Sequence, residues 1–186
     1  MTEWTKMVQG YLYDPLEPEL CEARARARRL VGLLNGTTED ERPERARLLE
    51  ALIPMGGAQA WVEPPFHCDY GTNITLGDKV FFNFGCVVLD VAPVTFGARV
   101  LVGPHVQVYA ASHPMSASQR RLGLELGRPI EVDNDVWIGG GAILCAGVRI
   151  GAGSVIGAGS VVTRAVPEGV FAAGNPCRVI RELGEE

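Results

Sequence analysis

From about Trp61 onward the chain repeats itself every six residues, a period that few folds can accommodate. The units opening at Ile138, Ile150 and Ile156 read Ile-Gly-Gly-Gly-Ala-Ile, Ile-Gly-Ala-Gly-Ser-Val and Ile-Gly-Ala-Gly-Ser-Val. Each starts on an aliphatic residue, continues with a small one, and carries a small or β-branched residue at the fifth place. Val132 and Leu144 open units in the same register, although Cys145 departs from the usual small or acidic second residue. Upstream, Phe96 and Val102 open two more, and Leu76 opens one that is offset by two residues. A two-residue insertion at an Ala92-Pro93 corner accounts for the offset.

An α-helix repeats near 3.6 residues and a strand at two, so neither explains six. A triangular coil does. Each short strand sends an aliphatic side chain inward, and the next residues turn a corner where small side chains are needed. Three units complete a turn of roughly 18 residues, and stacked turns pair in parallel ladders that bury one another's faces. The fold expected is therefore an all-β core, a left-handed parallel β-helix of hexapeptide repeats. It also accounts for the 23 glycines, which lack the strict third-residue spacing of collagen. A dinucleotide-binding reading of those glycines would need alternating strands and helices, and the pattern has none.

Ahead of Trp61 the period is helical. Pro18 suits a first turn, and Leu20, Ala23, Ala27, Leu30, Val31 and Leu34 recur at three- and four-residue spacing up to an Asn35-Gly36 stop. Thr38 and Glu41 read as a capping box opening a second helix through Arg45–Leu52, which Gly56-Gly57 ends. The division expected is a helical N-terminal cap over residues 1–57 and a β-helix over 58–186. Between Pro114 and Pro129 the repeat lapses, and Gly123, Gly127 and three arginines there make a projecting loop. Residues after Val170, with Pro176 among them, read as a tail.

The net charge of −5 and the absence of a basic stripe point away from nucleic acid. The run Arg24, Arg26, Arg28, Arg29 reads as a solvated helix face paired with Glu19 and Glu22. No window approaches the ~20 apolar residues of a membrane span and no signal-peptide core opens the chain, so a soluble, cytoplasmic protein is expected. Five cysteines without C-x-x-C spacing read as reduced thiols used for packing.

Three histidines are available for chemistry: His67, His105 and His113. Ser112-His113-Pro114 falls where the coil gives way to the long loop, so His113 can project beside a cleft. A neutral imidazole there is a natural general base for removing a hydroxyl proton.

The segments Phe66-His67-Cys68-Asp69-Tyr70-Gly71, Phe82-Asn83-Phe84, Val88-Leu89-Asp90-Val91, Ser112-His113-Pro114 and Val136-Trp137-Ile138-Gly139-Gly140 have a further meaning together. With the tail Ala173-Gly174-Asn175-Pro176-Cys177-Arg178-Val179-Ile180 and the helical cap, the chain resembles the maltose and galactoside O-acetyltransferases over almost its whole length. The Cys-Asp-Tyr-Gly and Leu-Asp-Val runs place it nearest the maltose branch.

That resemblance implies transfer of an acetyl group from acetyl-CoA to a sugar hydroxyl, in a homotrimer whose active sites lie between subunits. By motif, His113 is the expected general base, with Asn83 beside it. Asp69, Glu125 and Asp14 are expected to bind sugar hydroxyls, since carboxylates accept several hydrogen bonds at once. Trp137 is expected to wall the acceptor site. Gly140 and Ala158 would let the pantetheine arm approach the backbone, and Thr163, Arg164, Arg178 and Arg181 would meet the nucleotide end. Asp90 reads as a corner cap. With no cysteine in a nucleophile setting, direct transfer is expected rather than an acyl-enzyme.

Three other readings compete. A zinc enzyme on the same fold needs three converging histidines, and eight residues separate His105 from His113, so no metal is expected. A non-catalytic trimeric scaffold leaves the base and the arginines unexplained. An acetyltransferase of the same fold acting on serine, an antibiotic or an oligosaccharide differs only in the acceptor, which the 114–129 loop and the cap would select.

Overall fold

In a computed structural model of the chain, which describes residues 1–184, the repeats wind into a left-handed prism of about six turns with a helical region at its N-terminal end. The strands are two to four residues long over most of their course and stack into three parallel ladders. The first face stacks Trp61–Val62, Phe81–Phe82, Leu101–Val102, Trp137–Ile138, Val155–Ile156 and Val170–Ala173. The second stacks Phe66–Cys68, Cys86–Leu89, Gln107–Tyr109, Ile143–Leu144 and Val161–Val162. The third stacks Ile74–Leu76, Val94–Phe96, Ile130–Val132 and Arg149–Ile150. Arg178–Glu182 then turns back antiparallel on Val170–Ala173 and closes the first face.

Both the first and the fifth residue of a unit point inward, because they flank the corner. Val102 with Val106, Ile138 with Ala142, and Leu144 with Val148 are all buried. At second positions occupied by glycine the next coil lies too close for a side chain. A Cβ on Gly139 would stand 2.5 Å from the Ala158 amide nitrogen and 2.8 Å from the Ile156 oxygen. The fourth position has positive φ in unit after unit, as at Gly141, Gly147, Gly153 and Gly159. Lys79, Arg99, His105 and Asp135 hold the same left-handed conformation with a side chain. Stacking thus dictates backbone shape even against residue preference.

The cap contains more helix than its sequence announced. α1 (Glu3–Val8) is too short to show a period, but Thr2 caps it through a 3.1 Å bond from the Thr5 amide. α2 (Pro18–Asn35) starts and stops where the sequence placed it. Glu41 accepts from the Thr38 amide at 2.8 Å, so the expected capping box forms, though it opens a single 3-10 turn ahead of α3 (Arg42–Leu52). Gly56-Gly57 lies beyond the end of α3 and leads a further 3-10 turn, Gly57–Gln59, instead of ending the helix. Ala27, Val31, Leu34, Leu48, Leu49 and Leu52 bury their side chains in the same core as the first coils.

The corner between the second and third faces is irregular. Val88 to Phe96 spans eight residues where Val102 to Val108 spans six, which puts the two-residue insertion at Ala92-Pro93 as expected. Cys68 to Leu76 is widened equally one coil earlier. Asp90 holds these wide corners together. Fully buried, its carboxylate accepts 2.9 Å bonds from the amides of Asp69 and Tyr70 and a 3.4 Å bond from Asn73. One coil further the corner opens into the projecting segment. It is a hairpin, with Ala111–Ser112 paired antiparallel to Leu126–Gly127 and a short helix α4 (Ala117–Arg120) at its tip.

Two measurements test this account. Gly139→Ala should lower the thermal midpoint by more than Gly153→Ala, whose Cβ meets open space and costs only its left-handed conformation, about 1–2 kcal/mol. Equal losses would mean that coil stacking is not the constraint. Burial also pushes the Asp90 carboxyl up to about 6, against the pull of its amide donors. The folded chain therefore binds this proton more tightly than the unfolded one. Its contribution is full below about pH 4 and is lost as pH rises through about 6, on the order of 2–3 kcal/mol. Asp90→Asn should flatten the stability profile across that window, as read by denaturant unfolding at a series of pH values.

Candidate active site

The hairpin does more than project. Its first strand leaves the second face and carries His113 out at its end, while its return strand brings Glu125 back. Around them a cleft of about 340 Å³ is lined by Asp69, Tyr70, Leu89 and Val91 of the wide corners, Arg24 and Arg28 of α2, and Tyr13, Pro15 and Leu16 of the N-terminal arm. His113, Asp69 and Glu125 thus meet in one place although 56 residues separate the outer two. On its other side His113 borders a second hollow of about 290 Å³, lined by Ser112, Pro114, Met115, Leu126, Arg128 and Ala146. The imidazole stands between the two.

Charge in the first cleft is mixed. Burial, then the Glu125 carboxylate, raise the Asp69 carboxyl above the usual carboxylate range, while Arg24 and Arg28 oppose the shift. Tyr13 donates its hydroxyl to Glu125 at 2.8 Å. Burial and that carboxylate push its phenol up, so it remains a donor at neutral pH. Arg24 departs from the solvated face expected of it. Its guanidinium is half-buried, donating to the Tyr70 hydroxyl at 2.8 Å and to the Pro15 carbonyl at 2.5 Å. No ion pair joins the arginines of α2 to Glu19 or Glu22 among the described residues, because the helix turns Arg24 and Arg28 toward the cleft.

Asp14 stands at the rim. Its side chain closes a turn by accepting from the Leu16 amide at 2.9 Å, and its neighbours Pro15 and Leu16 line the cleft. Thr163 and Arg164 lie exposed on the same second–third edge as His113, two coils further on. Asn83, Gly140 and Ala158 lie elsewhere, on the edge between the first and second faces. There the Gly159 amide donates to the Gly140 carbonyl at 2.9 Å, and Asn83 accepts from the Phe84 amide at 2.8 Å. Trp137 points outward from the first face, 53% exposed. Arg178 and Arg181 are exposed on the closing strand, where Arg178 pairs with Ala173 at the far end of the Asn83 edge. One chain therefore divides the expected residues between two edges, with the second face between them.

Sequence reading missed Tyr13 and Arg24. Neither sits in the hexapeptide pattern, and only the proximity of Tyr13 to Asp14 hinted at the arm. A further hollow, between Arg42, Leu49 and Trp61, has no imidazole or thiol in its lining. Among the described residues, no cluster of three histidines, cysteines or carboxylates is placed to hold a metal, and no helix is long and apolar enough to cross a membrane.

Comparison with known proteins bears on the fold and the cap. Residues 6–56 match the model of the maltose acetyltransferase hexapeptide capping motif, and residues 129–164 match that of the bacterial transferase hexapeptide. The chain is 39% identical to the galactoside O-acetyltransferase of Escherichia coli, covering 100% of this chain and 90% of that protein. It superposes on the crystal structure of a maltose O-acetyltransferase from Clostridium difficile with a TM-score of 0.97, at 43% identity, covering 100% of this chain and 99% of that one. A hexapeptide-repeat acetyltransferase from Vibrio cholerae, complexed with acetyl-CoA, gives 0.92 at 39% identity and complete coverage of both chains. With this fold, this cap and relatives this close along its whole length, the chain belongs to the hexapeptide-repeat acetyltransferases of the maltose and galactoside O-acetyltransferase family.

Proposed function

We propose that this acetyltransferase moves the acetyl group of acetyl-CoA directly to a hydroxyl of a sugar, with His113 as general base. The observation that carries the reading is the position of His113 between two hollows. The first offers Asp69, Glu125 and two arginines, a set that accepts from and donates to a polyhydroxylated acceptor. The second opens onto the edge that leads past Ala146 toward Thr163 and Arg164, which suits an extended thioester and its phosphates.

In this mechanism the imidazole of His113 takes the acceptor's hydroxyl proton as that oxygen attacks the thioester carbonyl. The carbon–sulfur bond then breaks, and the proton passes from the imidazolium to the departing thiolate. A cysteine relay fits poorly, because burial pushes the thiols of Cys68, Cys86, Cys145 and Cys177 up and keeps them protonated. His113→Ala should lower kcat by ~10²–10⁴ in an assay of thiol release from acetyl-CoA over a panel of sugars, serine and chloramphenicol. A variant with near-native turnover would remove His113 from the chemistry, and acetylation of serine or chloramphenicol in preference to every sugar would overturn the acceptor class.

The division of residues between two edges supports a homotrimer. Outward residues of the first and second faces are mostly apolar, including Trp61, Leu101, Trp137, Val87, Ile143 and Val161, with His67 and Gln107 as polar exceptions on the second, while those of the third are Thr75, Thr95, Glu131 and Arg149. Two mostly apolar faces meeting at the Asn83 edge fit packing around a threefold axis with the polar face outward. Such packing would set Asn83, Trp137, Gly140 and Ala158 of one subunit against His113, Thr163 and Arg164 of the next. Co-refolding His113→Ala with Asn83→Ala should then restore about a quarter of the native rate, since mixed trimers regain one intact site in three. No recovery from a mixture shown by mass to contain both chains would place the two residues in the same subunit's site.

A further inference from the structure

Glu125 is not a wholly free acceptor ligand, because one of its carboxylate oxygens is already engaged. Tyr13 and Glu125 lie 112 residues apart in sequence yet pair like neighbouring strands: the Tyr13 amide donates to the Glu125 carbonyl at 3.0 Å and the Glu125 amide returns a bond of 3.1 Å. The 2.8 Å hydroxyl bond closes the same pair through side chains. Three residues before Tyr13, Gly10 crosses the same return strand so closely that a Cβ would stand 3.0 Å from the Gly127 carbonyl.

The arm is itself firmly seated. Tyr13 is 1% exposed and belongs, with Met7, Leu20, Tyr70 and Val91, to a small apolar cluster separate from the main core of the prism. That cluster lies under the cleft and touches Ala111, the residue from which the strand bearing His113 begins. The outgoing strand pairs with Leu126–Gly127, so what fixes the return strand also helps to fix His113.

We infer that Tyr13 is a positioning residue for acetyl transfer: through its hydroxyl bond to Glu125 it locks the hairpin to the N-terminal arm and holds His113 at working distance from the acceptor cleft. The inference rests on the functional reading above and specifies how its base is aimed. Part of the rate thus depends on a phenol whose hydroxyl is taken up by Glu125. Glu125 serves the hairpin first and leaves Asp69, for whose carboxylate no side-chain hydrogen bond exists among the described residues, as the freer of the two carboxylates toward the acceptor.

Tyr13→Phe tests it, since the ring still fills the cluster and only the hydroxyl is lost. Amide exchange at Tyr13 and Glu125, followed residue by residue, should quicken about tenfold, the consequence of losing one hydrogen bond to a charged acceptor. With the acceptor giving fastest turnover, kcat should fall about tenfold while the KM for acetyl-CoA and the thermal midpoint stay near native. Unchanged exchange would sink the latch. Faster exchange with native kcat would make it a structural tie only and overturn the positioning role, as would a fall in kcat matched by a large loss of stability. If the native protein acetylates nothing on the panel, the functional reading fails on its own, and the exchange measurement still decides whether the latch exists.

Discussion

Close contact between successive coils governs this molecule. A strand of two or three residues cannot hold itself together, so each coil depends on backbone hydrogen bonds and buried side chains from the coils above and below. That dependence sets the spacing between coils, and at Gly139 the spacing leaves no room for a side chain. It also imposes a left-handed backbone at the fourth position of the regular units, even where His105 or Asp135 must adopt it. In the last regular coil, Ser154 and Ser160 replace the usual apolar fifth residue. Their buried hydroxyls bond the Pro167 and Gly157 carbonyls and receive the Val170 and Gly174 amides, which fastens the tail.

A rigid prism has few places for chemistry, and this one makes room at a single corner. The second–third corner is widened in two coils and expanded into a hairpin in the third, without disturbing the ladders on either side. Asp90 makes the widening tolerable by meeting the amides that the loosened corner would leave unpaired in the interior. The site is built outside the core, from a hairpin, a corner and a helix that share little sequence proximity. Its parts are held by ties between distant segments, of which the Tyr13–Glu125 pair is the longest in sequence.

Electrostatics in the cleft follows the same economy. Asp69 and Glu125 repel one another in a partly dry space, and the arginines of α2 compensate. Of a helix face that is otherwise solvated, Arg24 and Arg28 border the cleft and offset its two neighbouring carboxylates, while Arg26 and Arg29 stay exposed.

The amino-acid sequence alone determined the prism, because its period of six is a local property written into Ile138-Gly139 and its successors. It likewise marked the end of α2, the Ala92-Pro93 insertion and the break at Pro114, each a departure from a local rule. His113, Asp69 and Glu125 were named from their motifs before the fold brought them together. The tertiary structure alone decided that Arg24 turns inward, that α1 exists, that Tyr13 reaches Glu125, and that Asn83 and His113 sit on different edges of one chain. None of these has a period to betray it. Each is a contact between segments far apart in sequence, and such contacts depend on how many residues each corner consumes before the chain returns to the same face.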